Sequence, residues 1–285
     1  MAIKLVALDV DGTLVDSPKN MEIHPRIKSA VAEAVRRGIT VCIASGRNFV
    51  YAQAYLDRAG LNGPVIGCNG ASVRSKEKGF YRAPLDPALV AASHRFCEEY
   101  GMTPMVFTDD EVFYRTFGSD GANKAFVDLY TCDGTAAEAF HAVTDGEYLA
   151  LAQRGGEIIK MSVITNISEA HMRRALAGWQ AWRAAGKLPG DPDCAVSFWS
   201  NFEIMPNGVN KGTGLMAFAK ILGLDRSEVM AVGDNENDIE MIQAAGVGVA
   251  MGSGVQKLKD VADYVTLSVE EGGAGAAIEK FALGE

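Results

Sequence analysis

Two carboxylates spaced two residues apart, Asp9 and Asp11, close the apolar run of residues 3–10 near the start of the chain. Residues at this spacing on an extended strand point to the same side, so both carboxylates could face one ligand. Gly12 then breaks the strand and lets backbone N–H groups turn toward an anion. Two carboxylates beside one phosphate would repel it unless a cation lay between them, and hard oxygen ligands favour Mg²⁺. A surface Asp-Gly turn is the alternative, and this short motif alone does not decide between the two.

A second acidic group follows another apolar run, residues 229–233, in the segment GDNENDIEM. The loop after that run contains Asp234, Asn235, Asn237 and Asp238. An apolar strand that delivers carboxylates into a loop is costly unless the charges meet a cation or hydrogen-bond donors, so the pattern favours a metal site. A helix N-cap is the alternative, but capping explains one of these four residues well and the set of four poorly.

Possible donors to phosphate oxygens end two further predicted strands. Ser45, Gly46 and Arg47 lie in IASGR, and Asn69 and Gly70 lie in GCNG. A hydroxyl, an amide and loop N–H groups can all donate to phosphate oxygens. For the arginine, a surface charge at the start of a helix is an equally good explanation.

Lys211 precedes a predicted helix in GVNKGTG, from where its ammonium could reach a phosphate near the strand ends. Because single lysines are normally solvated, this one gains meaning only from its place in the order of motifs.

Alternating strands and helices position these motifs. The predicted elements are strands at 3–10, 39–44, 64–68, 229–233, 247–251 and 263–267, and helices at 25–37, 49–59, 212–222, 237–245 and 274–281. Such alternation predicts right-handed crossovers and a doubly wound, Rossmann-like parallel sheet with helices on both faces. Open sheets of this α/β class bind ligands at the carboxyl ends of their strands, which is where the motifs lie.

The pattern changes between residues 84 and 197, where longer amphipathic helices alternate with single strands. These elements are predicted at 88–100, 103–107, 158–165 and 169–185. We therefore expect an α+β domain at 84–197 inserted into a core made of residues 1–83 and 198–285.

Composition limits the possible partners and location. The 285 residues are 48% hydrophobic and 22% charged, as in an ordinary globular protein. A net charge of -9 and a pI near 5.1 disfavour nucleic acid and anionic membrane surfaces. Five widely spaced cysteines without a C-x-x-C pair indicate reduced thiols. With no signal peptide or membrane helix evident, we expect a cytoplasmic monomer or small homo-oligomer.

In chain order, DVDGT, IASGR, the lysine of NKG and GDNEND resemble the four motifs of the haloacid dehalogenase-like superfamily. The resemblance is specifically to its Cof-type phosphatases of subfamily IIB, which carry a large C2 cap. It covers residues 1–83 and about 198–285 as the core, with the inserted domain as the cap. Each motif is short, but the ordered set is specific.

The resemblance implies a role for each matching position. Asp9 would be the nucleophile that forms a phosphoaspartate, and Asp11 would be the general acid and then the general base. Ser45 and Lys211 would bind the phosphoryl group, with the Asn69–Gly70 turn beside it.

The resemblance also implies the cofactor. Mg²⁺ would be held by Asp9, Asp234 and the backbone carbonyl of Asp11. Asn237 and Asp238 would be arranged around the metal ligand Asp234 and the lysine.

The expected activity is therefore hydrolysis of a small phosphorylated metabolite, such as a sugar phosphate or a similar phosphomonoester. A large lid favours a compact metabolite over a phosphoprotein. Two alternatives remain: a phosphomutase resembling the phosphomannomutases, in which a second sugar hydroxyl replaces water, and a non-catalytic module that accepts phosphate on Asp9. The sequence does not identify the substrate.

Overall fold

The strands of the described residues form two separate sheets, one in each of two units. The computed structural model describes residues 2–16, 22–115, 137–165, 167–198 and 200–285. Unit 1 comprises Met1–Arg82 and Asn210–Glu285, and unit 2 comprises Ala83–Val209.

The strands, in chain order, are β1 (Leu5–Leu8), β2 (Thr40–Ala44), β3 (Val65–Gly67), β4 (Ser72–Arg74), β5 (Gly79–Arg82), β6 (Thr103–Phe107), β7 (Val112–Arg115), β8 (Phe140–Val143), β9 (Lys160–Ile164), β10 (Asp193–Phe198), β11 (Asn201–Met205), β12 (Val229–Gly233), β13 (Val247–Ala250) and β14 (Tyr264–Val265). The α-helices of the described residues are α1 (Pro25–Arg36), α2 (Phe49–Ala59), α3 (Ala88–Tyr100), α4 (Asp145–Ala150), α5 (Glu169–Ala184), α6 (Lys211–Ile221), α7 (Ile239–Ala244), α8 (Gln256–Lys259) and α9 (Gly273–Ile278). Short 3₁₀ turns include Cys68–Gly70 and Glu236–Asp238, and a π-helical turn, Glu279–Leu283, follows α9.

The sheet of unit 1 has the strand order β14-β13-β12-β1-β2-β3-β4-β5. The first six strands in that order are parallel, and β4 and β5 are added as antiparallel strands at one edge. Strand β1 lies in the middle of the parallel region, where Leu5 is in register with both Thr40 and Val229. The predicted doubly wound α/β core is therefore confirmed, with an antiparallel hairpin that the sequence patterns did not predict.

Side chains of β1 alternate between two apolar layers, as its continuous apolar sequence predicts. Val6 and Leu8 pack in a layer with residues of α1, α2 and α9. Leu5 and Ala7 face the other way and pack in a layer with residues of α6 and α7. Apolar packing on both faces holds β1 inside the sheet, and its parallel pairing with β2 and β12 sets the place where its carboxyl end emerges.

Helix α6 begins at a fully capped N-terminus. The Asn210 side chain accepts a hydrogen bond from the Thr213 N–H at 2.9 Å, and the Thr213 hydroxyl accepts one from the Asn210 N–H at 3.0 Å. A reciprocal cap of this kind holds the first turn of a helix in place. Lys211 is the first residue of that turn, so its side chain starts from a fixed point.

The sheet of unit 2 has the strand order β10-β11-β9-β6-β7-β8. Met161 and Val163 of β9 belong to the apolar cluster that includes Phe96 of α3 and Trp179 of α5. Lys160 lies on the opposite face of β9, where it is fully buried and donates to Glu203 at 2.5 Å. One face of this sheet is therefore apolar and packs on helices, and the other carries a buried ion pair.

Unit 2 extends beyond residue 197, the predicted end of the inserted domain. The reason is the hairpin of β10 and β11, because β11 pairs with β9 inside the second sheet and cannot belong to the core. The predicted helices and strands at 88–100, 103–107, 158–165 and 169–185 all appear here within a residue or two of their expected bounds.

No helix among the described residues is long and apolar enough to cross a membrane. Cys42, Cys68 and Cys97 are buried free thiols, and Cys194 is a partly buried one. Cys132 lies outside the described residues.

Candidate functional site

The carboxyl ends of β1 and β12 bring the two acidic motifs together. Asp9 directly follows β1, and its N–H donates to the Val232 carbonyl at 3.0 Å. Carboxylate oxygens of Asp9, Asp234 and Asp238 lie within 4.8 Å of one another. Only 6% of Asp9 is exposed and none of Asp238, so these charges stand in a setting largely closed to water.

Lys211 connects the acidic motifs to helix α6. Its ammonium donates to Asp9 Oδ1 and to Asp238 Oδ1, at 2.6 Å in each case, and 1% of the residue is exposed. Burial by itself would lower the pKa of Lys211, but the carboxylates of Asp238 and Asp9 outweigh it and raise the pKa above its usual value. The lysine is therefore a permanent cation in the site.

Asp238 orients the loop after β12. Its Oδ2 accepts from the N–H groups of Asp234 and Asn235 at 3.0 and 3.1 Å, while its Oδ1 accepts from Lys211. With both oxygens in use, Asp238 acts as a support for the other groups rather than as an open ligand. Gly233 is the residue that permits this, since a Cβ there would lie 2.5 Å from Asp238 Cγ.

Asp234 packs against the turn that follows β1. A Cβ at Gly12, which has a φ of +89°, would collide with the Asp234 carboxylate. The Thr13 hydroxyl also approaches Asp234 Oδ1, at 3.5 Å. Gly12 therefore matters for close approach as well as for the turn, a role that the DG spacing alone did not indicate.

The turn Cys68–Gly70 ties the second motif to the third strand. Cys68 and Asn69 have positive φ values of 48° and 50°, an uncommon backbone conformation for residues other than glycine. The Cys68 N–H donates to the Arg47 carbonyl at 2.7 Å, and the Asn69 N–H donates to the Ser45 carbonyl at 3.0 Å. The strained turn thus places the Asn69 amide beside Gly46, whose Cβ position would be 3.1 Å from Asn69 Oδ1.

Two glycines let α6 approach that turn. A Cβ at Gly70 would collide with the Asn210 carbonyl, and one at Gly214 would lie 2.6 Å from the Gly70 Cα. This contact couples the position of Lys211 to the position of Asn69. The sequence patterns missed Gly214, which could have been found only from its place one turn after a predicted site lysine.

The remaining predicted residues take different positions. Ser45 is buried, and its Oγ accepts from the Arg47 N–H at 3.2 Å. The Asn235 side chain accepts from the Glu236 N–H at 2.8 Å, so the N-cap alternative applies to this residue. Asn237 is exposed, and its amide lies 3.5 Å from Asn69 Oδ1. Asp11 pairs with Arg47, and its carboxylate is not part of the Asp9–Asp234–Asp238 group.

The buried carboxylates fit a divalent cation. Burial and the neighbouring Asp238 raise the pKa of Asp9 well above its usual value, although Lys211 acts in the opposite direction. Burial and Asp238 likewise raise the pKa of Asp234 to about 6. One ammonium therefore does not compensate the three acidic groups, and their oxygen atoms are the donors that hard cations prefer.

Another acidic group among the described residues differs from this site. His94, Glu98 and Asp145 of unit 2 could in principle hold an ion. However, Arg115 donates to Asp145 Oδ2 at 2.7 Å and lies 3.7 Å from Glu98. A guanidinium therefore already balances these exposed carboxylates, so the site in unit 1 is the stronger metal candidate.

Comparison with known proteins finds matches along nearly the whole chain. The family model of haloacid dehalogenase-like hydrolases matches residues 6–278. Phosphatase YwpJ of Bacillus subtilis is 29% identical over 284 residues, covering 95% of this chain and 97% of that protein. A phosphoglycolate phosphatase of Methanoculleus marisnigri is 28% identical over 283 residues, covering 98% of this chain and 97% of that protein.

A solved structure of a haloacid dehalogenase-like hydrolase from Bacteroides thetaiotaomicron has the same fold. It matches with a TM-score of 0.80 at 24% identity, covering 98% of this chain and 99% of that chain.

The raised pKa of Asp234 predicts how metal-free stability depends on pH. The folded protein keeps a proton on Asp234 up to about pH 6, whereas the unfolded chain releases it near the ordinary value of 3.8. The folded state binds more protons in this window, so stability falls as the pH rises from about 4 through 6. In excess chelator, Asp234→Asn should therefore melt roughly 2–6 °C above the wild type at pH 7.5, with a smaller difference at pH 4.5.

Thermal unfolding followed by circular dichroism measures this difference. Glu236→Gln, an exposed change in the same loop, is the matched control and should leave the melting temperature unchanged at pH 7.5. Equal melting of Asp234→Asn and the wild type at pH 7.5 would mean that the buried charge has no cost.

Proposed function

Because this chain belongs to the haloacid dehalogenase-like hydrolases, we propose that it is a Mg²⁺-dependent phosphatase that forms a phosphoaspartate on Asp9. The substrate is a small phosphorylated metabolite, such as a sugar phosphate or a similar phosphomonoester. The observation that carries this proposal is the buried contact of the Lys211 ammonium with Asp9 Oδ1. It places a fixed carboxylate and a fixed cation side by side at the end of a parallel strand, where a phosphoryl group can meet both.

Asp9 is the better nucleophile of the first motif because its position is the more restrained. Its N–H is bonded to β12, its side chain is bonded to Lys211, and 6% of the residue is exposed. Asp11 follows the end of the strand, and 40% of its side chain is exposed. In-line attack on phosphorus tolerates little misplacement, so the restrained group suits the attacking role.

The reaction then has two displacements. An Asp9 oxygen bonds to phosphorus while the bond to the leaving oxygen breaks, and Asp11 gives that oxygen its proton. Asp11 next takes a proton from a water molecule, whose oxygen attacks phosphorus and restores the Asp9 carboxylate as inorganic phosphate leaves. Two displacements of this kind replace one difficult hydrolysis.

Polar groups around Asp9 suit the oxygens of the transferring phosphoryl group. The Lys211 ammonium and the Ser45 hydroxyl are the proposed donors, and Gly12, Gly46 and the Asn69–Gly70 turn are proposed to line the phosphate site beside them.

Asp9, Asp234 and the backbone carbonyl of Asp11 would hold Mg²⁺, with Asp238, Asn235 and Asn237 supporting them. When bound, Mg²⁺ supplies positive charge that offsets repulsion between the phosphate and these carboxylates.

Side chains of unit 2, the inserted domain, are proposed to determine which leaving group is accepted, because the reacting groups belong to unit 1. The phosphatase names of the two relatives support a phosphomonoester. One name gives phosphoglycolate and the other gives no substrate, so the names do not select a substrate for this chain. The net charge of -9 disfavours nucleic acid and anionic membrane surfaces, whereas a small anion can still bind at a local cationic site. We further propose a cytoplasmic location and a monomer or small homo-oligomer.

Turnover should depend on a divalent cation, because Asp9 and Asp234 stand together in a site with one ammonium. Phosphate release from a panel of phosphorylated metabolites should stop in excess chelator and return when Mg²⁺ is added beyond the chelator. The exposed variant Glu236→Gln should behave as the wild type in both conditions. Full turnover in excess chelator would show that the reaction needs no metal.

Asp9→Asn should lose turnover almost completely, because an amide is a poor nucleophile, and should keep the fold, because the two side chains match in size. Aluminium or beryllium fluoride should inhibit the wild type, and a crystal structure of that complex should place the fluoride species within bonding reach of an Asp9 carboxylate oxygen. A fluoride species bound instead to a water molecule, with Asp9 only a metal ligand, would indicate direct hydrolysis without a covalent intermediate.

Asp11→Asn should cut kcat about 10²- to 10⁴-fold and leave KM nearly unchanged, because the amide can neither give nor accept the proton. Steady-state phosphate release from the best substrate of the panel measures both constants. A loss confined to KM would contradict the acid and base role. Conversion of a sugar phosphate to its isomer without release of phosphate would identify a phosphomutase.

A further inference from the structure

The guanidinium of Arg47 contacts both carboxylate oxygens of Asp11. Arg47 Nε lies 3.2 Å from Asp11 Oδ2, and Arg47 Nη2 lies 3.1 Å from Asp11 Oδ1. This is the two-point geometry by which arginine fixes the plane of a carboxylate as well as its position. The two residues are 36 positions apart in the chain, and the contact joins the first motif to the second.

Arg47 is itself held in place on three sides. Its N–H donates to Ser45 Oγ at 3.2 Å, and its carbonyl accepts from the Cys68 N–H at 2.7 Å. Its guanidinium carbon lies 5.0 Å from the ring centre of Tyr55, a buried residue of α2. Two hydrogen bonds thus anchor the backbone of Arg47, and the Tyr55 ring supports its guanidinium.

The exposure of the two partners differs. The Arg47 side chain is 19% exposed and the Asp11 side chain is 40% exposed. An ion pair at such exposure is weak, so a ligand can displace one partner at small cost. A proton donor also needs one carboxylate oxygen directed at the leaving group, whereas Arg47 engages both oxygens. One of the two contacts must therefore open when Asp11 meets the leaving group, while the other can remain and keep the carboxylate oriented.

We propose that Arg47 is a positioning residue for Asp11, which sets the orientation of its carboxylate before the leaving group arrives. This inference rests on the proposed function, in which Asp11 transfers the proton. Arg47 acts through Asp11 rather than on the phosphoryl group. Without Arg47, the half-exposed Asp11 side chain samples several rotamers, and a smaller share of enzyme molecules is ready to react.

The test is a double-mutant cycle with the single variants R47A, R47K and D11N and the double variant D11N/R47A. R47A should lower kcat roughly 10- to 100-fold, as expected for misplacement of a reacting group, with KM changed less than about threefold. R47K should recover part of kcat, because an ammonium can contact one oxygen of Asp11. In the D11N background, the further effect of R47A should shrink to less than about twofold.

Added guanidinium ion should restore part of kcat to R47A and none to D11N/R47A. Crystal structures of R47A and the wild type should show a changed rotamer for Asp11 and an unchanged position for Asp9. These structures test the positioning role independently of turnover.

Three results would overturn the inference: an equal fold-loss from R47A with and without Asp11, a loss confined to KM, or a gain in kcat. Wild-type turnover in D11N is a different failure, because it contradicts the proposed acid and base role. If D11N keeps wild-type turnover, the crystal structure of R47A decides the positioning role. An unchanged Asp11 rotamer would reject that role. A changed rotamer would retain the contact as one that orients Asp11 without a part in proton transfer.

Discussion

The site depends on one buried ammonium. Lys211 lies between Asp9 and Asp238 at 2.6 Å from each, with 1% of the residue exposed. Through these contacts it joins the end of β1, the start of α6 and the turn after β12. Lys211 is the cation that both carboxylates share, so its removal would leave two buried negative charges without a partner, which is strongly destabilising. The three elements are therefore held together by a shared electrostatic requirement.

The same requirement explains why the surroundings are so closely packed. A buried ammonium can satisfy its partners only if helix α6 comes near the strand ends, and glycines make that approach possible. Gly70 lies against the Asn210 carbonyl at the N-cap, and Gly214 lies against Gly70. A side chain at either position would push the first turn of α6 away and lengthen the contacts of Lys211. Precision in this site therefore comes from backbone packing as much as from the charged groups.

The sequence predicted the parts of this arrangement that follow from local pattern. Buried parallel strands are short apolar runs, so the ends of β1, β2, β3 and β12 could be located, and with them the polar residues that follow. Helices α3 and α5 were also predicted, because their amphipathic pattern is long.

The elements that were missed are short strands or contacts between distant residues. The hairpin of β4 and β5 and the hairpin of β10 and β11 include residues exposed to solvent, so they have no continuous apolar run. Because the second hairpin belongs to the sheet of unit 2, that unit ends at Val209 and not at the predicted residue 197. No local pattern indicates the positive φ of Cys68, the support given by Gly214 or the pairing of Arg47 with Asp11.

The two carboxylates of the first motif are held by two different kinds of ion pair. Asp9 is bound by a buried lysine in surroundings where electrostatic contacts are strong and water is largely excluded. Asp11 is bound by an arginine at 3.1–3.2 Å where 40% of its side chain meets solvent, so its contact is weaker and easier to exchange. Under the proposed mechanism this division suits the chemistry, because a nucleophile must stay in line with the phosphorus atom. A group that first gives a proton to the leaving oxygen and then takes one from the water that replaces it must instead exchange its hydrogen-bond partner between the two steps.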